Sequence, residues 1–157
     1  MRVGILSDSH GNLKRAEQAV RRMGQLDLLL HAGDYYEDAL LLADGCGVEV
    51  KGVAGNCDRF APGPEEQILE VEGYRIYLTH GHLFGVKRGL ERLAERAGKV
   101  GASIVIYGHT HVPLKKVANG VLYLNPGSIA WPRITGRPGF AVLEFRRSGF
   151  SAEIYEL

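Results

Sequence analysis

Five short turns carry residues able to hold a metal ion: Asp8-Ser9-His10, Gly33-Asp34, Gly55-Asn56-Cys57-Asp58, His80-Gly81-His82 and Gly108-His109-Thr110-His111. His109 and His111 pose the question most sharply. Two imidazoles one residue apart are rarely needed for packing alone, because each must satisfy both ring nitrogens. Counted together, Asp8, His10, Asp34, Asn56, His80, His109 and His111 are too many donors for one tetrahedral zinc. They suit two divalent ions sharing a bridging carboxylate, and Asp34, central in the series, is the natural bridge. Mixed imidazole and oxygen donors favour manganese, iron or zinc over calcium or magnesium. Two such ions carry about +4, Asp8 and Asp34 about −2, and a bridging hydroxide leaves roughly +1. That centre would attract an anionic phosphate and activate water near neutral pH. Asp8 or Asp34 alone could be a helix cap or turn residue, but seven such groups are hard to satisfy without a ligand.

The sequence disperses these groups, so the elements before them must gather them. "RVGILS", "DLLLH", "VEVKGVA", "GYRIYLT" and "ASIVIY" read as strands, each running into one of the turns. After the first strand, Leu13, Ala16, Ala19, Val20 and Met23 recur at helical spacing, with Gly24 as a stop, and "YEDALLLADG" reads as a second helix. Strand–helix–strand–helix–strand is the pattern of a parallel sheet, whose ligands bind in the crevice at the carboxyl ends of the strands. Gly33, Gly55, Gly81 and Gly108 fit places where the chain turns sharply or approaches a ligand.

The second half reads differently. Glu72-Gly73 and Asn119-Gly120 are hairpin signals. "KRGLERLAERAGKVG" puts Leu90, Leu93, Ala94 and Ala97 on one helical face, and "GFAVLEFRRSG" and "FSAEIYEL" supply late strands. The expectation is one α/β domain over residues 1–157, part parallel and part antiparallel.

Bulk composition excludes several classes. The chain is 45% hydrophobic and 24% charged, as soluble globular proteins are. Nineteen basic against eighteen acidic residues give a formal charge of +1, so no bulk field supports nucleic-acid binding. Two cysteines without CxxC spacing argue against a disulfide framework, and no apolar stretch has the length of a signal-peptide core or membrane span. The expected location is the cytoplasm, with no membrane contact.

Taken in order, "DSH", "GD", "GNCD", "HGH" and "GHTH", with "LNPGS" at 124–128, resemble the motifs of the calcineurin-like metallophosphoesterases, most closely the small bacterial and archaeal phosphodiesterases. The resemblance covers essentially the whole chain. It implies a four-layer α-β-β-α sandwich of two mixed sheets flanked by helices, with a dinuclear site at the strand ends. It puts Asp8, His10 and His111 on one metal and Asn56, His80 and His109 on the other, with Asp34 bridging. Alternation along an extended segment would send His109 and His111 to opposite sides, so a local turn must converge them. The implied cofactor is a pair of divalent ions, Mn2+ first, with Ni2+, Fe2+, Co2+ or Zn2+ in its place. The implied reaction is attack of a metal-bridging hydroxide on a small phosphodiester. Nucleic acid enters only as a substrate, and a homo-oligomer stays open.

One position departs from the wider superfamily. Its phosphomonoesterase branch carries a histidine after the asparagine, which helps to protonate the leaving oxygen, and here Cys57 stands there. A thiol is a poor general acid for an alkoxide, which leans the reading toward diesters. Asn56 and His82, with Cys57 and Arg59 beside them, are the expected substrate contacts. Asp58 is expected to orient a neighbouring histidine from behind the ligands. His31 reads as a buried, hydrogen-bonded histidine, and Trp131, Arg133 and Arg137 as lining a cleft or a subunit contact. Two other functions stay open. One is a catalytically silent scaffold for protein partners, since the retromer's small subunit looks like the same fold. The other is a phosphomonoesterase. The filled donor set argues against the first and Cys57 against the second.

Overall fold

A computed structural model describes residues 1–59, 63–134 and 136–157. The first half of these contains β1 (Arg2–Leu6), α1 (Leu13–Met23), β2 (Leu28–His31), α2 (Tyr36–Cys46) and β3 (Glu49–Gly52). The rest contains β4 (Glu66–Val71), β5 (Tyr74–Thr79), α3 (Glu91–Val100), β6 (Ile104–Ile106), β7 (Leu114–Ala118), β8 (Val121–Asn125), β9 (Gly139–Arg146) and β10 (Gly149–Glu156). Two five-stranded sheets result, ordered β10-β9-β1-β2-β3 and β4-β5-β6-β8-β7. Within them β1, β2 and β3 run parallel, as do β5, β6 and β8, while β9, β10, β4 and β7 pair antiparallel.

The layers follow from the two-residue alternation of side chains along each strand. Val3, Ile5, Leu28 and Leu30 from one sheet meet Ile76, Leu78, Ile104, Ile106, Leu122 and Leu124 from the other in a central core. The alternate residues face outward onto helices. Leu6, Leu29 and Val142 pack on Ala16, Ala19 and Met23 of α1 and Leu42 of α2. Tyr77, Val105 and Tyr123 pack on Leu93 and Ala97 of α3. The fold is therefore the α-β-β-α sandwich of two mixed sheets that the motif order implies. No helix among the described residues is long and apolar enough to cross a membrane.

Both expected hairpins form. Glu72 and Gly73 (φ 50° and 80°) and Asn119 and Gly120 (φ 51° and 76°) place left-handed pairs between β4 and β5 and between β7 and β8. The third helix starts later than its apolar spacing suggests. The Arg88 amide is spent on the Gly85 carbonyl, and helical bonding begins where the Ala94 amide reaches the Leu90 carbonyl at 2.7 Å. A 3-10 turn, His82–Phe84, lies between β5 and this helix.

Candidate metal centre

The parallel strands of both sheets deliver their carboxyl ends to one place. The Asp8 amide donates to the Gly33 carbonyl (2.9 Å), tying the turn after β1 to that after β2. The Gly108 amide donates to the His80 carbonyl (3.2 Å), tying β6 to β5. The His109 amide donates to Asp8 Oδ2 (3.1 Å), which joins the two sheets.

The turns themselves are unusual. Asp8, His10, Asp34, Tyr35, His109 and His111 all have positive φ, between 46° and 73°. Each left-handed non-glycine residue costs on the order of 1–3 kcal/mol, and such residues cluster at functional sites. The local turn needed to converge His109 and His111 is present, because both lie in this region. Among the described residues the other non-glycine residues with positive φ are the hairpin residues Glu72 and Asn119.

Donor atoms of Asp8, His10, Asp34 and His111 all lie within 4.8 Å of one another. His111 Nε2 is 3.0 Å from Asp8 Oδ1, and His10 Nε2 is 3.6 Å from Asp34 Oδ2 and 3.4 Å from His111 Nε2. The other Asp34 oxygen faces the opposite way: Oδ1 is 3.3 Å from His80 Nε2. One carboxylate thus presents one oxygen to His10 and the other to His80. His109 is less tightly drawn in, its ring centroid 5.0 Å from that of His80. His82 stands 5.3 Å from His80 by the same measure. Asn56 is exposed, and its side-chain amide donates to Cys57 Sγ at 3.5 Å.

The surroundings aim these groups. Ser7 Oγ donates to Asp8 Oδ2 (2.5 Å), so with the His109 amide that oxygen is occupied and Oδ1 is turned to the cluster. His80 Nδ1 donates to the Ala32 carbonyl and His111 Nδ1 to the Trp131 carbonyl, each at 2.8 Å. Each ring therefore points Nε2 inward, the usual arrangement behind a metal-binding histidine. Asp8 Oδ1 and His80 Nε2 are buried without an aligned hydrogen-bond partner, as is His82 Nδ1. Such groups are costly to bury unsatisfied, and divalent cations bound at the cluster would satisfy the two that sit 3.9 Å apart. The residues present fit a metal centre.

Asp58 corrects one expectation. Its oxygens accept from the Gly55 and Tyr36 amides, each at 2.7 Å, so among the described residues it braces the Asn56 turn rather than a histidine ring. Cys57 is exposed, and its amide donates to Asp34 Oδ1 (3.0 Å). Partial burial of the sulfur, then the Asp34 carboxylate, push its thiol up to about 11, so it stays protonated in the metal-free protein. Arg59 is exposed at the edge of the described segment. His31 is buried between Ser9 Oγ (2.9 Å) and the Gly33 amide (3.3 Å), a neutral, hydrogen-bonded histidine as expected.

Several supports escape sequence reading. Buried Asp38 accepts the Gly11 amide (2.9 Å) and so holds the turn carrying His10. Asn125 donates to the Gly108 carbonyl (2.9 Å) and to Thr110 Oγ1 (3.1 Å), bracing the two-histidine turn. Ser128 Oγ donates to the Asp8 carbonyl (2.9 Å) and accepts from the Trp131 amide (2.8 Å). Asn125 and Ser128 both fall in "LNPGS", so the motif marks them without saying what they hold.

Charge is arranged unevenly. Burial opposes ionisation of Asp8 and Asp34, but the adjacent histidines outweigh it and hold both carboxyls below the usual range. Burial also opposes charge on His80 and His111; Asp34 and Asp8 reverse this at His80, and Asp8 at His111, so both keep a proton to higher pH than a free imidazole. Burial, then His80, push His109 down to about 4. A cation must therefore displace protons from His80 and His111. Mn2+ affinity should fall as pH drops from above their raised pKa values down through the ordinary imidazole value of 6.5, with proton release on loading. Calorimetry in buffers of different ionisation enthalpy measures both. Affinity that does not change over that interval would contradict this proton inventory.

An α-β-β-α sandwich that gathers aspartates and histidines at the carboxyl edges of both sheets defines a metallophosphoesterase-type, metal-binding hydrolase. The chain belongs to the calcineurin-like phosphoesterase superfamily, whose domain matches residues 1–148. It is 34% identical over 157 residues to the probable metallophosphoesterase YsnB of Bacillus subtilis, covering 99% of this chain and 91% of that one. It is 27% identical over 169 residues to the phosphodiesterase YfcE of Escherichia coli, covering 92% and 88%. A crystal structure of a predicted phosphoesterase from Streptococcus pneumoniae superposes with a TM-score of 0.85 at 33% identity, over 99% of this chain and 88% of that one.

Proposed function

We propose that the protein is a phosphodiesterase of small diesters that works with two divalent cations, Mn2+ first among them. Asp8, His10 and His111 would hold one cation and Asn56, His80 and His109 the other, with Asp34 shared. The observation that carries this reading is the two-sided Asp34 carboxylate, facing His10 with one oxygen and His80 with the other. When bound, the cations would supply Lewis acidity and a water activated near neutral pH.

The chain's own groups do the rest. His82, with its unpartnered Nδ1, and Asn56 at the rim would donate to phosphoryl oxygens, where charge builds during displacement. Arg59, next in sequence to Asp58 and exposed, would add a positive group toward a phosphate. Asp58 keeps the Asn56 turn in place through the Gly55 amide. Cys57, a neutral thiol, offers no strong acid to a leaving alkoxide, which favours diesters over monoesters. Two free cysteines suit a reducing cytoplasm.

The test is hydrolysis of bis-p-nitrophenyl phosphate against p-nitrophenyl phosphate by metal-stripped protein, with and without Mn2+. Mn2+-dependent turnover favouring the diester is expected, and His109→Ala should abolish it while the circular dichroism spectrum is kept. A monoester preference would overturn the substrate class. No turnover with Mn2+, Ni2+, Co2+, Fe2+ or Zn2+ would overturn the enzyme reading and leave the scaffold.

A further inference from the structure

Large aromatic side chains exposed among the described residues are Tyr35, Trp131 and Tyr155. Tyr155 lies stacked on Phe140, centroids 5.4 Å apart, and so extends an apolar layer. Tyr35 and Trp131 stand instead against His10. The Trp131 ring is stacked on the imidazole at 4.1 Å and 22°, and the Tyr35 ring meets it edge-on at 5.5 Å and 63°. Burying an aromatic ring is among the largest apolar gains available to a chain. Yet Trp131 is 60% exposed and Tyr35 40%.

Both rings leave from fixed backbone. The Trp131 amide donates to Ser128 Oγ and its carbonyl accepts from His111 Nδ1, each at 2.8 Å. Tyr35 sits in the left-handed region (φ 73°), and its Cε1 would lie 3.3 Å from a Cβ added at Gly11. A strained residue that puts its ring at the mouth of a site, partly in solvent, is poorly explained by packing. An open aromatic face held rigid is what base stacking requires.

We propose that Trp131, with Tyr35 beside it, is a stacking platform for a nucleobase, and that the substrates are small nucleoside phosphodiesters. This rests on the phosphodiesterase reading above. His10 Nε2 lies 3.6 Å from Asp34 Oδ2, so the indole is one stacking contact from the donor cluster, and a pentose bridges a gap of that kind between base and phosphate. A glycerol or alkyl substituent has no π-face to offer. The formal charge of +1 provides no field for a long polyanion, which selects mono- and dinucleotides over extended strands.

The test uses two substrates with one leaving group, thymidine 5′-(p-nitrophenyl phosphate) and methyl p-nitrophenyl phosphate, with Mn2+-loaded protein. The thymidine ester should be favoured about tenfold or more in kcat/KM, the size of one base–aromatic stack. Trp131→Ala should collapse that ratio toward one, and Trp131→Phe, which keeps a ring, should restore most of it. Equal kcat/KM for the two esters in the parent protein would overturn the platform and leave the phosphodiesterase reading standing. Turnover of neither ester would overturn that reading instead. Binding then decides the platform, because Trp131 is the chain's one tryptophan. Saturable quenching of its emission by thymidine 5′-monophosphate, absent with glycerol 3-phosphate, would support the platform, and identical responses would overturn it.

Discussion

Asp34→Asn should lower turnover of bis-p-nitrophenyl phosphate by about three orders of magnitude, the scale seen when a preorganised charge-stabilising group is removed. The substitution is nearly isosteric. An amide oxygen can still accept the Cys57 amide that Asp34 Oδ1 now takes at 3.0 Å, so the turn after β3 should keep its shape. What is lost is the negative charge that His10 and His80 face from opposite sides. Mn2+ affinity should fall with activity. His80 should also give up its proton at lower pH, because Asp34 is foremost among the groups that hold it there against burial. An imidazole titration followed by NMR in the metal-free variant reads that change without any turnover. A variant that keeps a tenth of the parent rate, or an unmoved His80 titration, would remove Asp34 from the centre of the site.

Gly108→Ala should be the most damaging single-methyl change at the site. A Cβ there would sit 1.9 Å from Ser7 Oγ, 2.7 Å from Asp8 Oδ2 and 3.0 Å from the Ala32 carbonyl. Each neighbour has another task. Ser7 and the His109 amide fix the Asp8 carboxylate, and the Ala32 carbonyl holds the His80 ring. None is the free end of a flexible chain, so the backbone must move. Overpacking of this kind costs about 3 kcal/mol, the upper part of the usual range, and should lower Tm by about 6–12 °C for a domain of this size. Gly98→Ala is the matched control. Gly98 is exposed in α3, a Cβ added there meets nothing within 4 Å, and the change should stabilise by about 0.5–1 kcal/mol. A Gly108→Ala protein that melts and binds Mn2+ like its parent would refute the packing account.

Much of this is written locally in the sequence. The carboxyl end of a strand is marked twice, by the stop of an apolar run and by a polar turn, so the positions of Asp34, His80 and His109 can be read directly. The hairpins at Glu72-Gly73 and Asn119-Gly120 are equally plain, because only a few residue pairs accept two left-handed conformations. Sheet order is not legible from pattern. Local signals do not say that β8 passes its hairpin partner β7 to the edge and pairs with β6, or that β9 returns to lie beside β1. Long-range packing makes those choices. The same limit applies within the site. Asp58 reads as a partner for a histidine because the sequence shows a carboxylate near imidazoles, whereas folding spends it on the Gly55 and Tyr36 amides. The pairing of Trp131 and Tyr35 around His10 has no local signature, because the stack exists only once distant segments meet.

The bond from Ser128 Oγ to the Asp8 carbonyl spans 120 residues, and β1, which leads into Asp8, has β9 as its outer neighbour. During synthesis the turn carrying Asp8 therefore waits, incomplete, until Ser128 and β9 (Gly139–Arg146) have emerged and docked. Closing so long a loop is a slow, late event in folding. Metal capture at this turn would come after it, so a nascent chain would carry no assembled trap for stray ions. A cation would then enter a finished pocket rather than template one, and the metal supply at the moment of release would set which ion arrives first.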